Sequence, residues 1–340
     1  MPNYTQEDRN GVMACYASDL IHGVTIKAIA IKVDTIKRYL YAAAAFSLAH
    51  QVIDPRLDIC GKPAHHLEKI LKSHKHWEDI PNRREPVTER MLQKMFEINP
   101  GDDSLDAALS DWNVMGHHYG FRKSEWVQDS KDLRKKEFQR IPNGEVQAFR
   151  RSDFTYISPD GTRISQNDQT ILDEDDPNID QVSVCWRYQK NGDNGQSKTH
   201  KRNIEHPELC AVRASLRIRR RSQICGGNSH DPMALFRNNR TGHAQFISDK
   251  HVESHLQRVA KTVYQISDKK DLSRWTCHSV RVGACVSLFN QEKGEAFIQF
   301  QLRWRSQSWR DYIRDSPTLS DQHIKASNAN WDAMLEQQNK

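Results

Sequence analysis

Apolar positions recur at helical spacing over most of this chain and alternate in the manner of strands only in its middle. Met13, Tyr16, Ala17, Leu20 and Ile21 share one face of a helix that His22-Gly23 ends. Asp34 or Thr35 is placed to cap a second helix, which runs from Ile36 through an alanine-rich stretch to Phe46 and Leu48. A third helix is expected over residues 63–73, so residues 1–80 read as a small all-helical unit. The periodicity then stops at Ile80-Pro81-Asn82-Arg83-Arg84-Glu85-Pro86, where two prolines among charges suit an exposed linker over residues 81–87.

Residues 88–340 mix both periods. Thr88 caps a helix through Met91 and Leu92, and another helix covers residues 105–114. Strands are expected over 146–149, 154–157 and 182–188, with Asp160-Gly161 and Asn191-Gly192 as turns. The acidic stretch 173–180 reads as a solvated loop, and helical periodicity dominates again from Pro207 onward. The expected fold is mostly α with a small β-sheet: a helical N-terminal domain followed by an α+β domain.

Composition narrows the partners only a little. The 340 residues suffice for two compact domains, and a hydrophobic share of 37% with mean hydropathy −0.81 implies a very polar surface. The net charge of +6 suits a nucleic-acid partner without demanding one. Seven scattered cysteines without a C-x-x-C pair read as reduced thiols inside a cell, rather than a disulfide framework or a zinc module. No apolar run approaches membrane-spanning length, and the first residues lack the basic-then-apolar pattern of a signal segment. A soluble, intracellular protein is the expectation.

Three groups of residues carry chemistry. The first is Tyr119-Gly120-Phe121-Arg122-Lys123-Ser124-Glu125, in which Arg122 and Glu125 are three apart; taken alone they make an ordinary surface ion pair. The second is His278-Ser279-Val280-Arg281. Another H-x-x-R, at His255 and Arg258, lies in an amphipathic helix and reads as a solvated face. The copy at His278 is set apart by its downstream neighbours. A small-residue helix comes next, then Leu302-Arg303-Trp304-Arg305-Ser306, and then the third group, Asp311-Tyr312-Ile313-Arg314.

In this order and spacing the residues resemble the tyrosine recombinases, the phage-integrase family. That family's pattern is G-x-R-x-S-E, then H-x-x-R, then a His or Trp about two dozen residues on, then a Tyr eight or nine later. Here Arg281 and Trp304 are 23 residues apart and Trp304 and Tyr312 eight. Tryptophan at 304 is similar to Cre recombinase, and the Leu-Arg-Trp-Arg-Ser run looks most like crypton-like recombinases of eukaryotic mobile elements. The resemblance spans the chain: residues 1–80 match the family's helical core-binding domain, and residues 88–340 its catalytic domain. The stretch from Arg122 to His278 is longer than in compact members, which implies an insertion at the acidic stretch or near Gly226-Gly227.

The resemblance implies a site-specific recombinase or integrase that cuts and rejoins DNA through a 3′-phosphotyrosyl bond, without metal, ATP or any other cofactor. Tyr312 would be the nucleophile, Arg122, His278, Arg281 and Trp304 the phosphate cage, and Glu125 the group that orients the arginines. The family also places a lysine on a β-hairpin between its two arginine motifs; Lys190 is the expected one and Lys198 its rival. These residue types suit the task. Phosphodiester cleavage requires removing on the order of 20 kcal/mol from the barrier. Arginine presents phosphate with a planar, permanently charged fork, indole N–H donates, and a cationic pocket stabilises a phenolate whose ordinary pKa is about 10.

Other features have plainer explanations beside the sharper ones. The segment from Lys198 to Arg221 holds eight basic residues and only two acidic ones, Glu205 and Glu208, with Arg213, Arg217 and Arg220 on one helix face opposite Leu209, Val212 and Leu216. They read as a solvated basic face, as a DNA-backbone contact, or, over residues 201–221, as a nuclear-localisation patch. Lys32, Lys37 and Arg38 are candidate phosphate contacts. His65, His66, His74 and His76 lack a cysteine at finger-like spacing, so surface histidines are expected rather than a metal site. Trp309 and Tyr119 read as core.

An amphipathic helix over residues 324–335 is expected either to pack on its own domain or to dock on a neighbouring subunit. The implied partner is double-stranded DNA with paired recombination sites, bound by a homotetramer whose protomers are monomeric when free. The implied location is nuclear in a eukaryotic host and cytoplasmic otherwise. The alternatives are a domesticated relative that binds DNA without cutting it and a type IB topoisomerase-like enzyme. The complete residue set argues against the first, and the core-binding-like domain against the second.

Overall fold

The computed structural model describes residues 4–24, 31–78, 83–98, 103–130, 138–164 and 172–313. The chain divides into two compact units, Met1–Asn82 and Arg83–Lys340. The fold is mostly α-helical with a small antiparallel sheet.

The first unit contains α1 (Gln6–Ile21), α2 (Val33–Ala49) and α3 (His65–Trp77). Thr5 and Asp8 close a capping box at the start of α1, which joins Ile36, Leu40, Leu67 and Leu71 in burying Met13, Ala17, Leu20 and Ile21. Neither Asp34 nor Thr35 caps α2. Lys32 is its N-cap, and the orphan amide of Val33 donates instead to the Glu78 carboxylate at the far end of α3. Asp34 pairs with Lys75 at 2.9 Å.

The second unit is built from α4 (Glu89–Glu97), α5 (Leu105–Tyr119), the sheet strands β1 (Phe154–Ile157), β2 (Gln181–Trp186) and β3 (Gln196–Lys201), α6 (Ala211–Ile224), and a hairpin of β4 (Leu235–Arg237) and β5 (Ala244–Phe246). It continues with α7 (Asp249–Tyr264), α8 (Lys269–Leu272), α9 (Ser279–Asn290), α10 (Glu295–Leu302) and α11 (Arg310–Ile313). β2 lies between β1 and β3, antiparallel to both, with Val184 opposite Phe154 on one side and Lys198 on the other. Trp112 stacks between Trp126 and Phe149 at the heart of the core. Two glycines let α9 approach its neighbours. A Cβ on Gly116 of α5 would stand 2.4 Å from Val280 Cγ1, and one on Gly283 would stand 2.1 Å from the Val87 carbonyl oxygen.

Several local expectations change. The part of residues 81–87 that the structure describes is held along the second unit: Glu85 N–H bonds to the Arg274 carbonyl, Val87 N–H to the Ser279 carbonyl, and Val87 is fully buried. Residues 146–149 form no strand, Val146 alone making an isolated bridge to Arg140, and β4–β5 falls in a stretch expected to be helical. The acidic stretch is more than a solvated loop, because Glu174 and Asp175 pair with Arg217 and Arg213 on α6. The helix expected over residues 324–335 lies outside the described residues.

Candidate active site

α5 ends at Gly120, whose φ of +59° turns the chain sharply and frees its carbonyl as an acceptor. Phe121 then enters the core, and Arg122 becomes the N-cap of a single 3-10 turn over Lys123–Glu125. The Glu125 side chain folds back under Arg122: its carboxylate accepts the Arg122 backbone N–H at 2.9 Å and Arg122 Nη1 at 3.1 Å. Arg122 is half-buried and Glu125 fully buried, so the pair is not the surface ion pair that its spacing alone suggests.

The second arginine arrives on α9. His278 is the N-cap, and one turn on Arg281 is 2% exposed. Its guanidinium donates to the carbonyls of Gly120 and Leu302, the latter at 2.7 Å, and lies 4.4 Å over the ring of Trp304. These contacts bind the end of α5, α9 and the end of α10 around one cation. Trp304 Nε1 is buried, with no hydrogen-bond partner among the described residues. The ring centroid of Trp304 is 5.4 Å from that of Tyr312 on α11, and the His278 ring lies 5.5 Å from the same phenol. His278 Nε2 and Tyr312 Oη are 2.7 Å apart. Residues 122, 125, 278, 281, 304 and 312 therefore meet in one place.

The two candidate lysines differ. Lys190 is exposed in the turn after β2. Lys198 on β3 is 6% exposed, and its Nζ lies 2.8 Å from the Phe300 ring centroid without a hydrogen-bond partner among the described residues. Burial and the nearby Arg303 lower its pKa to about 8.

Arg303 is a site residue that the sequence reading missed. Its side chain is fully buried and forks onto Glu125 at 3.0 and 3.1 Å, so one carboxylate serves two guanidiniums. Burial alone would raise the Glu125 pKa, but Arg303 and Arg122 outweigh it and hold the carboxyl at about 2. Three guanidiniums around a single carboxylate leave the cluster cationic. Burial and the charges of Arg281, Arg84 and Arg122 accordingly hold His278 down at about 4, although the residue still opens to solvent. Burial raises the Tyr312 phenol, and Arg281 opposes that rise. The chemistry of the site is that of a cage for an anion, with a tyrosine and a neutral histidine at its mouth.

The second H-x-x-R is elsewhere. His255 on α7 is buried rather than solvated, and with the exposed Arg258 it binds Asp106 in the first turn of α5. Tyr119 is core, donating to the Val182 carbonyl, and Trp309 is 2% exposed. Among the DNA-contact candidates, Lys32, Lys37 and Arg38 are exposed, and Lys37 opens on a basic groove with Lys69, Lys72, Lys75 and Trp77. Arg220 is exposed too. Arg217, by contrast, is spent on Asp111 and Glu174, and Arg213 on Asp175. These pairings make Arg213 and Arg217 supports for α6 rather than a free basic face.

No family model and no curated protein matches the chain. Among solved structures it is similar to an integrase of transposon Tn1549 in complex with circular intermediate DNA, at 13% identity over 92% of this chain and 80% of that one, with a TM-score of 0.40. A single-substitution form of the same integrase with circular intermediate DNA is 12% identical over 96% and 86% of the two chains, at a TM-score of 0.46. A further form, bound to transposon right-end DNA, is 13% identical over 96% and 86%, at 0.45. The chemistry of the site therefore rests on its own side chains. Among the described residues, no group of three or more His, Cys, Asp or Glu is arranged to hold a metal, and no helix is long and apolar enough to cross a membrane. All seven cysteines are free.

Proposed function

We propose that the chain is a DNA strand transferase of the tyrosine-recombinase type, which breaks and rejoins a phosphodiester through Tyr312. The observation that carries this reading is the 2.7 Å contact between His278 Nε2 and Tyr312 Oη beside Arg281 and the Trp304 N–H, which has no hydrogen-bond partner among the described residues. With the ring proton on Nδ1, the phenol donates to Nε2. Tyr312 Oη attacks phosphorus while its proton passes to His278, which is neutral and so able to accept it. The bond from phosphorus to the 5′ oxygen breaks, and that oxygen leaves with a proton from Lys198. The products are a 3′-phosphotyrosine and a free 5′-hydroxyl, and attack by another strand's 5′-hydroxyl reverses the step.

Arg122 and Arg281 neutralise the non-bridging oxygens, Trp304 donates to one of them, and Glu125 orients the arginines. Lys198 is preferred to Lys190 because its ammonium is buried, has no hydrogen-bond partner among the described residues and is already shifted toward neutrality. The phosphotyrosine conserves the energy of the broken bond, so rejoining needs neither ATP nor metal. Exchange between two duplexes requires four cleavages, so the working assembly is four protomers on paired sites. Recombination acts on genomic DNA, which in a eukaryotic host is nuclear.

The test is a suicide duplex, nicked beside the cleavage point and built from inverted half-sites in the DNA flanking the coding region. In EDTA the protein should form an adduct that survives denaturing electrophoresis. Tyr312→Phe should lose the adduct and keep DNA binding. An adduct in the Phe variant moves the nucleophile elsewhere, and binding without any adduct leaves a non-cleaving DNA-binding protein. Relaxation of supercoils without dependence on site indicates a topoisomerase.

A further inference from the structure

Arg303 occupies a backbone conformation that ordinarily belongs to glycine. Its φ is +58° at the C-cap of α10, a region where an L side chain crowds its own carbonyl. Glycine would meet that turn without cost, so the arginine is there for its side chain. The side chain is wholly buried and reaches two segments that are far apart in sequence, residues 120–125 and 186–189. It forks onto both oxygens of Glu125. From the β2–β3 connection, Gln189 Oε1 accepts from Nη1 at 3.1 Å, and the guanidinium stacks 3.8 Å over Trp186 of β2. Nη2 also reaches the Gly120 carbonyl at 3.4 Å, the same oxygen that Arg281 binds.

We propose that Arg303 is a positioning residue that locks Glu125, and through it Arg122, to the hairpin that carries Lys198. The inference rests on the strand-transfer reading of this site. With no exposed surface on its side chain, Arg303 does not touch DNA, and it acts through what it holds. Glu125 Oε1 accepts from Arg122 and from Arg303 at once, so the place of Arg122 depends on the second fork. Trp304, the next residue, is aimed by the same turn. The buried positive charge also repels a proton on Lys198, adding to the effect of burial there.

The experiment uses the full chain and single-turnover cleavage of a suicide duplex across a pH range, with thermal melting and DNA binding measured alongside. Arg303→Gly suits the backbone and removes the fork. It should bind DNA as the parent does and cleave about 10²-fold more slowly, the size expected when a clamp is displaced by about an ångström. Its alkaline limb should move to higher pH, because Lys198 has lost a cationic neighbour. A substrate with sulfur in the 5′-bridging position, whose leaving group needs no proton, should recover part of the loss. Arg303→Lys, which keeps the charge without the fork, should keep the parent's alkaline limb and recover part of the rate. Should Arg303→Gly fail to fold, Arg303→Lys carries the same comparison: a slowed reaction with an unmoved alkaline limb supports the role. Cleavage by either folded variant within threefold of the parent overturns the proposal. So does a loss in Arg303→Gly with neither a moved limb nor a sulfur response, which marks a merely structural arginine. A parent protein that makes no adduct overturns the strand-transfer reading itself, and this role with it.

Discussion

His278 Nε2 and Tyr312 Oη stand 2.7 Å apart although 34 residues separate them in the chain. A histidine that burial and three neighbouring arginines keep deprotonated is suited to take a proton rather than supply one. His278→Ala should therefore slow Tyr312 attachment by about 10²- to 10⁴-fold. In the parent, single-turnover rates should hold level from about pH 5 to 7. They should fall toward pH 4 as His278 protonates, and above about pH 8 as Lys198 loses its proton. An acid limb near pH 6.5 would assign the proton acceptance to another group.

The two lysines separate cleanly. Lys198→Ala should lower cleavage by about 10²- to 10⁴-fold, whereas Lys190→Ala, at an exposed turn, should stay within a few fold of the parent. A 5′-bridging sulfur should restore Lys198→Ala and leave the Tyr312→Phe variant inactive. The reverse ranking of the two alanine variants would return the general acid to Lys190.

The two H-x-x-R segments also part company. Arg281→Ala should cost roughly 3 kcal/mol of transition-state stabilisation, read from single-turnover cleavage at saturating DNA. Arg258→Ala removes a half-exposed partner of Asp106, so it should leave cleavage unchanged and cost stability by less than about 1 kcal/mol in a denaturant melt.

Acid should destabilise the second unit well before its carboxylates protonate. Burial, chiefly, holds His118 at about 3 and His200 at about 4. His118 bonds to the Leu209 carbonyl, and its ring lies 5.1 Å from that of His200. Both are neutral in the folded protein and gain protons near pH 6.5 once unfolded. Their contribution is thus complete above pH 6.5 and is lost as pH falls toward 4. Asp106, Glu89 and Glu125, each held at about 2, add a second loss below about pH 4.5. Melting followed from pH 7 to 4 should show the first loss, and His118→Gln should flatten it. A parent curve that is level down to pH 5 would refute the assignment.

Much of the framework was legible because it is written in local pattern. Thr88 caps α4, β1 spans the expected 154–157, and residues 122, 281, 304 and 312, singled out by their resemblance to the tyrosine-recombinase pattern, lie in one cluster. What escaped depends on partners distant in sequence. Arg303, between Leu302 and Trp304, carries no local sign of its role until Glu125, 178 positions earlier, is folded against it. The basic stripe of α6 reads as a free face because nothing local reveals that Asp111, Glu174 and Asp175 cover it. β4 and β5 are three residues each, too short for alternation to register. His255 reads as solvated because its partner Asp106 belongs to another helix.

The glycine contacts of α9 have a mechanical consequence. Where Gly116 meets Val280 and Gly283 meets Val87, there is no room for a methyl group, so the helix bearing His278 and Arg281 is wedged on two sides. Tyr312 rides on only four helical residues, anchored by Trp309 and Ile313 in a small cluster separate from the main core. The proposed phosphate cage is thus held fast, while the proposed nucleophile rests on a short helix. Amide hydrogen exchange should be slow across Val280–Cys285 and orders of magnitude faster across Arg310–Ile313. When a strand is cut would then be governed by the arrival of the tyrosine, with the phosphate cage standing ready throughout. Equal protection of the two helices would tie the nucleophile to the cage as one rigid body.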